Sequence, residues 1–369
     1  DSRVYRIRKN IIRKLTTDHS YVETLVKDGT ITNVICNSAK NGLIPQRDFF
    51  DKDIANTENT AGYYIIKNND FVYNPRKSNE APYGPVSIYK YAEDGIVSPL
   101  YLCFRAINSL CADYFEMYFK SSAWHRYIYL MGDSGARHDR VSIKDEVFFD
   151  MPVRMPSLPE QQKIAAFLSL VDARIEKQRQ LVEALKKYKR GLFSAYFKQF
   201  SDLKLIKLGE FAKIYQPATI SQSEFTNGKY RVFGANGYIG YYDSYNHSTE
   251  QVTISCRGEK CGTVNFVGAY SWITGNSMVV NIDEQNIIDK RYLYHCLSNQ
   301  NLKYLISGSA QPQIIRGDVA KHTIPLPPLP QQKSLSQFLD LIESLIYQMT
   351  NILEQTQAFK NGLLQRMFV

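Results

Sequence analysis

The chain has 369 residues, 44% of them hydrophobic and 22% charged, and its 45 Lys and Arg exceed its 36 Asp and Glu to give a formal charge of +9. That length suits two domains with cores of their own, and the composition excludes long disorder, a collagen-like repeat or a small secreted scaffold. The positive excess suits an anionic partner without demanding one.

In chain order, residues 1–157 read as a mixed α/β globular segment, with a helix expected over ADYFEMYFKSSAWHRYIYLM at 112–131. Residues 158–200 follow as one long helix, opened by PSLPEQQ and free of interior proline for about 40 residues. A second globular segment spans 201–328. Its strand signals are YRVFGANGYIGYYD, EQVTISCRGEKCGTVNFV and SWITGNSMVVNID, where Gly and Asn mark turns, and its helix signal is KRYLYHCLSNQNLKYLI. A second long helix, 329–369, ends the chain. The Cys residues form no CxxC pair and no zinc-like spacing, so no metal is expected, and the thiols read as reduced. The longest apolar runs, such as FLSLV at 167–171, fall far short of the roughly 20 residues that cross a bilayer. No secretory leader opens the sequence, so a cytoplasmic location is expected, and the first residue, Asp1, suggests a trimmed N-terminus.

The two long helices are copies of one another. They align without a gap at an offset of 171 residues, so that Gln161 matches Gln332, Leu168 matches Leu339, Gly191 matches Gly362 and Phe197 matches Phe368. Heptad spacing sets a seam of Ile164, Leu168, Val171, Ile175, Val182 and Leu185 in the first helix. In the second it sets Leu335, Leu339, Ile342, Ile346 and Leu353. Lys189 and Lys360 break both seams at the same place, and a lysine at a seam position sets register at a cost in stability. A second stripe of Phe167, Leu181, Tyr188, Phe338, Ile352 and Phe359 predicts packing against something globular. The expected fold class is therefore α+β: two mixed α/β domains separated by two long helices that pair as an antiparallel coiled coil, with a pseudo-two-fold internal repeat. The stretches SGARHDRVSIKD from Ser134 and SGSAQPQIIRGD from Ser307 hold equivalent places before the two helix starts, so each globular segment is a divergent copy of one fold.

No chemistry of its own is legible. There is no Asn/Asp-Pro-Pro-aromatic methyltransferase motif, no glycine-rich cofactor loop, no phosphate-binding loop and no nucleophile elbow, and the histidines are scattered. Several loops instead carry the side chains that read bases or hold phosphates. In the first segment these are Arg76, Lys77, Arg137, His138 and Arg140. In the second they are Asn236, Arg257, Lys260, Gln311 and Gln313, with Gln311 and Gln313 alternatively stabilising the junction of domain and helix. Lys186, Lys187 and Arg190 on the first helix could track phosphates between two half-sites, or simply face solvent.

The LPEQQKIAAFL and LPQQKSLSQFL helix starts, GSAQPQI with the PLPPLP that follows, ANGYIGYYD and TGNSMVV, and the order domain-helix-domain-helix resemble the specificity subunits of Type I restriction-modification systems. The resemblance covers essentially the whole chain. It implies two target-recognition domains that each read half of a bipartite, asymmetric double-stranded DNA site. The half-sites would lie about one turn apart, and the helices would dock two methyltransferase subunits, joined for restriction by two translocating nuclease subunits. S-adenosylmethionine, ATP and Mg2+ would then sit on those partners, with no cofactor on this chain, in a bacterial or archaeal cytoplasm. The strand that usually leads into the first domain has no full match near Asp1 and is expected to be absent. The competing readings are a non-DNA coiled-coil scaffold and a Mg2+-dependent nuclease.

Overall fold

The computed structural model describes residues 3–6, 12–14, 31, 33–49, 63–106, 110–133, 139–199, 203–235, 237–308 and 311–368. The elements of the first half are β1 (Arg3–Arg6), β2 (Ile12–Lys14), β3 (Ile35–Ser38), β4 (Gly42–Pro45), α1 (Gln46–Phe49), β5 (Tyr64–Ile66), β6 (Asp70–Tyr73), β7 (Val86–Ile88), β8 (Gly95–Val97) and β9 (Leu102–Ala106). They are followed by α2 (Ala112–Lys120), α3 (His125–Met131), α4 (Asp145–Phe149), β10 (Pro152–Met155) and the long α5 (Leu158–Phe197). The second half has β11 (Leu205–Lys207), α6 (Leu208–Phe211), β12 (Lys213–Tyr215), β13 (Tyr230–Gly234), β14 (Gly237–Tyr242), β15 (Gln251–Ser255), β16 (Val264–Val267), β17 (Ser271–Ile273) and β18 (Ser277–Asn281). It ends with α7 (Lys290–Asn299), α8 (Arg316–Lys321), β19 (Thr323–Pro325) and the long α9 (Leu329–Phe368).

The chain divides into two compact units, residues 1–177 with 352–369, and residues 178–351. Their sheets repeat one plan. A four-stranded sheet in the order β2-β9-β6-β7 in the first unit corresponds to β12-β18-β15-β16 in the second, and the antiparallel pair β1-β10 corresponds to β11-β19. The lead-in strand expected to be missing is thus present: Arg3 pairs with Met155 and Arg6 with Pro152. Its sequence shares little with Leu205–Lys207 because an edge pairing of this kind is made by backbone groups and asks little of the side chains. A further sheet, β14-β13-β17, matches the β3-β4 hairpin, which reaches β8 through a parallel bridge from Val34 to Ile96.

In the first unit the sheet covers a core of aromatic rings: Phe71 stacks on Phe104 at 5.3 Å and meets Phe115 edge-on at 5.4 Å, and Tyr73 stacks on Phe148 at 5.0 Å. Each such ring buries apolar area worth about 2–3 kcal/mol. Asp70 is fully buried at the start of β6. Its carboxylate accepts two bonds from the Arg105 guanidinium, at 2.5 and 2.8 Å, and one from Lys67 N–H, so the charge is neutralised where it is desolvated. The helix expected over 112–131 is two helices. Ser121 ends the first by donating its hydroxyl to Tyr118 O, and the Trp124 indole donates back to Phe119 O. The helix expected over 290–306 likewise stops at Asn299, and Asn301 then caps a short 3-10 turn.

Both long helices are 40 residues long, as the spacing predicts. In the first unit Leu168 is fully buried on α5, and Leu364 and Phe368 of α9 join the same core, where Phe368 packs on Tyr114 at 5.1 Å. In the second unit Leu335 and Leu339 of α9 share a core with Phe193 of α5, and Phe197 meets Tyr292 edge-on. In each unit the two helices run antiparallel. The heptad reading fails only near the helix ends, where Phe193 and Leu364 are buried rather than Leu192 and Leu363. An 11-residue step from Val182 to Phe193, repeated from Leu353 to Leu364, matches a straight helix better than further sevens do. The second apolar stripe departs from expectation: Phe167, Leu181, Tyr188, Phe338 and Phe359 all stand about half exposed.

Burial lowers the pKa of His125, His247, His295 and His322 below the ordinary histidine value, desolvation being the main cause in each. The unfolded chain therefore binds more protons than the folded one once the pH drops below about 6.5. Stability conferred by these neutral rings is complete above that value and is lost as pH falls toward the folded pKa values. The denaturant midpoint should fall steadily between about pH 7 and pH 5, and a flat midpoint would contradict these assignments.

Candidate nucleic-acid interface

The described candidates lie on two loops in each unit, and the loops are joined in the same way. In the first unit the chain leaving β6 runs into Arg76 and Lys77. Arg76 faces Arg140 across an antiparallel bridge, Val141 N–H donates to Pro75 O, and Lys77 N–H donates to Asp139 O. In the second unit the chain leaving β15 runs into Arg257, which faces Gln313 across an antiparallel bridge; Ile314 N–H donates to Cys256 O, and Gly258 N–H to Pro312 O. Val141 and Ile314 are buried and anchor the second loop in each unit. The side chains carried on this frame differ: Arg76, Lys77 and Arg140 in one unit, and Arg257, Lys260, Gln311 and Gln313 in the other. Arg137, His138 and Asn236 lie outside the described residues. Ala235, just before Asn236, accepts from Ser255 Oγ at 2.5 Å, which brings the β13-β14 turn beside the end of β15.

These loops hold themselves with backbone bonds and leave most of their polar side chains outward. Arg257, Lys260, Gln311 and Gln313 are exposed, and Arg76 shares its charge with Asp139 at 3.8 Å while remaining largely exposed. Gly258 has φ +82°, a left-handed backbone that glycine adopts without strain and that lets the loop turn back under Pro312. Such groups can donate to guanine or adenine edges and to phosphates. Lys187 and Arg190 are exposed on α5, whereas Lys186 is partly exposed and bonded to Glu183 at 2.8 Å.

The seam lysines have carboxylate partners. Lys360 binds Asp172 in the first unit, and Lys189 lies 3.3 Å from Glu343 in the second, with lysine side chains only 14% and 11% exposed. Asp172 and Glu343 are themselves matched by the 171-residue offset, so the repeat carries an ion pair in duplicate. Lys189 therefore belongs to the seam and not to the basic outer face. The acid at both positions was visible in the alignment but signals nothing until the helices are known to pair antiparallel.

Gln161 and Gln332 are likewise matched and almost fully buried. Gln161 accepts from Cys111 N–H at 2.9 Å and donates to Pro156 O at 2.9 Å; Gln332 accepts from Asp289 N–H at 2.9 Å and donates to Pro327 O at 2.8 Å. Cys111 and Asp289 are the residues at the N-termini of α2 and α7. One amide per unit thus satisfies an otherwise unpaired helix-end donor and fixes where the long helix begins.

Among the described residues, His295, Asp340 and Glu343 form a group whose ligating atoms lie within 4.8 Å of one another. His295 Nδ1 is buried without a hydrogen-bond partner, while the other polar atoms of the group meet neighbouring side chains. His295 Nε2 meets Asp340 at 2.8 Å, the Tyr294 hydroxyl donates to Glu343 at 2.6 Å, and Lys189 and Arg291 supply the positive charge. The cluster fits an ion-pair network tying α7 to the helix pair better than it fits a cation site.

Each unit thus carries a mixed domain with the same loop pair, set against an antiparallel pair of helices, so one plan is present twice in the chain. The model of the Type I restriction modification DNA specificity domain matches residues 17–187 and 201–357, and the chain belongs to that family. Its relatives include the EcoprrI specificity subunit of Escherichia coli, 28% identical over 150 residues that make up 39% of this chain and 37% of that one. The MjaIX specificity subunit of Methanocaldococcus jannaschii is 24% identical over 69% of this chain and 66% of its own. The matched region thus spans less than two-fifths of the bacterial relative and about two-thirds of the archaeal one. Among solved structures, the S subunit of a Type I restriction-modification system from M. genitalium has a TM-score of 0.62 at 16% identity, covering 100% of this chain and 96% of that one. A chain from a structure addressing complex assembly and conformational transition of the Type I system has a TM-score of 0.57 at 15% identity, covering 98% and 96%. At such identities the likeness is one of fold.

Two expectations follow from the buried polar contacts. Gln332→Leu leaves Asp289 N–H and two carbonyls unsatisfied and should cost about 1–3 kcal/mol, with faster hydrogen exchange at Asp289 N–H. Glu343→Ala strands the largely buried Lys189 and the Tyr294 hydroxyl and should cost about 1–3 kcal/mol, while Glu343→Ala combined with Lys189→Met and Tyr294→Phe recovers most of that loss in a denaturation cycle.

Proposed function

We propose that this chain is the address-reading subunit of a Type I restriction-modification complex, in which each unit reads one half of a split, asymmetric DNA target. The observation that carries the reading is the loop pair built identically in both units and furnished differently. Arg76 and Arg140 suit guanine or phosphate contacts, whereas Gln311 and Gln313 add adenine-type donors and acceptors beside Arg257 and Lys260. An identical frame with different side chains implies two half-sites of different sequence.

The apolar stripe of the long helices supports docking of methyltransferase subunits. Tyr188, Leu192, Leu335 and Phe338 line a groove of about 880 Å3 in the second unit, and Gly191 stands at its edge with open space where a side chain would be. A glycine in mid-helix costs roughly 1 kcal/mol against alanine, and the repeat places Gly362 at the matching position, also facing open space. Ungainful as a stabiliser, a bare helix surface beside exposed aromatic rings suits a partner's apolar side chains. S-adenosylmethionine, ATP and Mg2+ belong in this scheme to the methyltransferase and translocating subunits, and this chain supplies the address.

The test is a map of modified bases in cells that express the chain with its methyltransferase subunit. A split methyladenine motif should appear only when both are present. Arg257→Ala with Gln313→Ala should relax one half of the motif, and Arg76→Ala with Arg140→Ala the other. No motif, or a motif altered in both halves by one pair of substitutions, overturns the reading.

A further inference from the structure

Strand β13 carries a surface that the loop pair does not account for. Lys229 and Arg231 flank its first residue, both exposed and neither in an ion pair with any described residue; Lys229 Nζ lies 5.1 Å over the Tyr230 ring. Tyr245 meets Tyr230 edge-on at 4.9 Å, and Tyr270 meets Tyr245 at 5.3 Å with the rings perpendicular. A hollow of about 570 Å3 opens here, lined by Lys229, Arg231, Phe233, Tyr270 and Ser271, and no carboxylate lines it.

Two features of this surface gain nothing from folding. Tyr270 has φ +53°, a backbone region that costs a residue with a Cβ and that glycine or asparagine usually fills, yet the residue is 57% exposed. Strain that holds an aromatic ring in solvent beside two unpaired cations points to a ligand. A tyrosine hydroxyl and ring face suit a phosphate oxygen and a sugar, and cations without acids suit a polyanion. In the first unit the equivalent strand, β3, is flanked by Asn33 and Val34 and carries Cys36, so the described residues there hold no matching cation pair.

We propose that Lys229, Arg231, Tyr245 and Tyr270 grip the sugar–phosphate backbone of duplex DNA beside the half-site, without regard to sequence. The proposal rests on the DNA-reading function and adds a second contact within that unit. β13 has five residues and rises about 3.3 Å for each, so this patch lies roughly 15 Å from the turn beside the reading loops. That distance equals about four base-pair steps, so the patch and the loops engage different stretches of the duplex.

The experiment uses the complex of this chain with its methyltransferase subunit. Binding is measured over a salt series to a duplex holding the mapped target and to an unrelated duplex. Lys229→Ala with Arg231→Ala should weaken both by the same factor and flatten the log–log salt slope by about two, near 0.9 for each lost phosphate contact. Lys229→Arg with Arg231→Lys should restore the slope. Tyr270→Gly, which relieves the backbone, should weaken both duplexes equally. A parent complex that prefers its target, together with an alanine variant of unchanged slope or one that loses only the target duplex, overturns this proposal alone. A parent complex with no preference overturns the functional reading and this proposal with it.

Discussion

One amide in each unit decides where everything else can stand. Gln161 and Gln332 are enclosed where water cannot satisfy them, and each binds the first free N–H of a domain helix and a carbonyl in the proline-rich lead-in to a long helix. An amide with both ends satisfied in this way is directional, because a rotation of the long helix by a single residue would leave a buried donor and acceptor empty. The seam that begins one turn later inherits its facing from that bond, and so do the loops that close each domain just before it.

The duplicated ion pair works on the same helices by a different route. Apolar side chains tolerate sliding, since one leucine replaces another at little cost, but a lysine amongst them has one acceptable neighbour. A slide that parted Lys360 from Asp172 or Lys189 from Glu343 would leave a largely buried lysine without its carboxylate. The His295, Asp340 and Lys189 cluster then ties α7 to the same place. Polar groups here make the packing specific, and the surrounding leucines make it strong.

Much of this was legible in the sequence. The offset of 171 residues and the helix lengths follow from spacing alone, because a 40-residue amphipathic helix leaves an unmistakable period, and the equivalence of the two globular segments shows in the matched stretches from Ser134 and Ser307. The pairing of Arg257 with Gln313 and of Arg76 with Arg140 was not legible: residues far apart in the chain meet through backbone bridges, which leave no mark on side-chain identity. The same reason hid β1, whose partner is set by hydrogen bonds that any sequence can make. The helix ends misled the heptad count because a straight helix drifts against a seven-residue repeat. The open stripe of Phe167, Tyr188, Phe338 and Phe359 was read as packed because a sequence shows that a face is apolar and not what lies against it.

The composition of the first unit has a consequence for the order of synthesis. Phe368 and Leu364 close over Tyr114 and Leu168, which are synthesised long before them. Domains ordinarily settle in the order in which they are translated. Here the earlier unit must wait with its aromatic floor uncovered until Leu364 and Phe368 arrive, so a chain cut short of them betrays itself by an open core that proteases and chaperones can find.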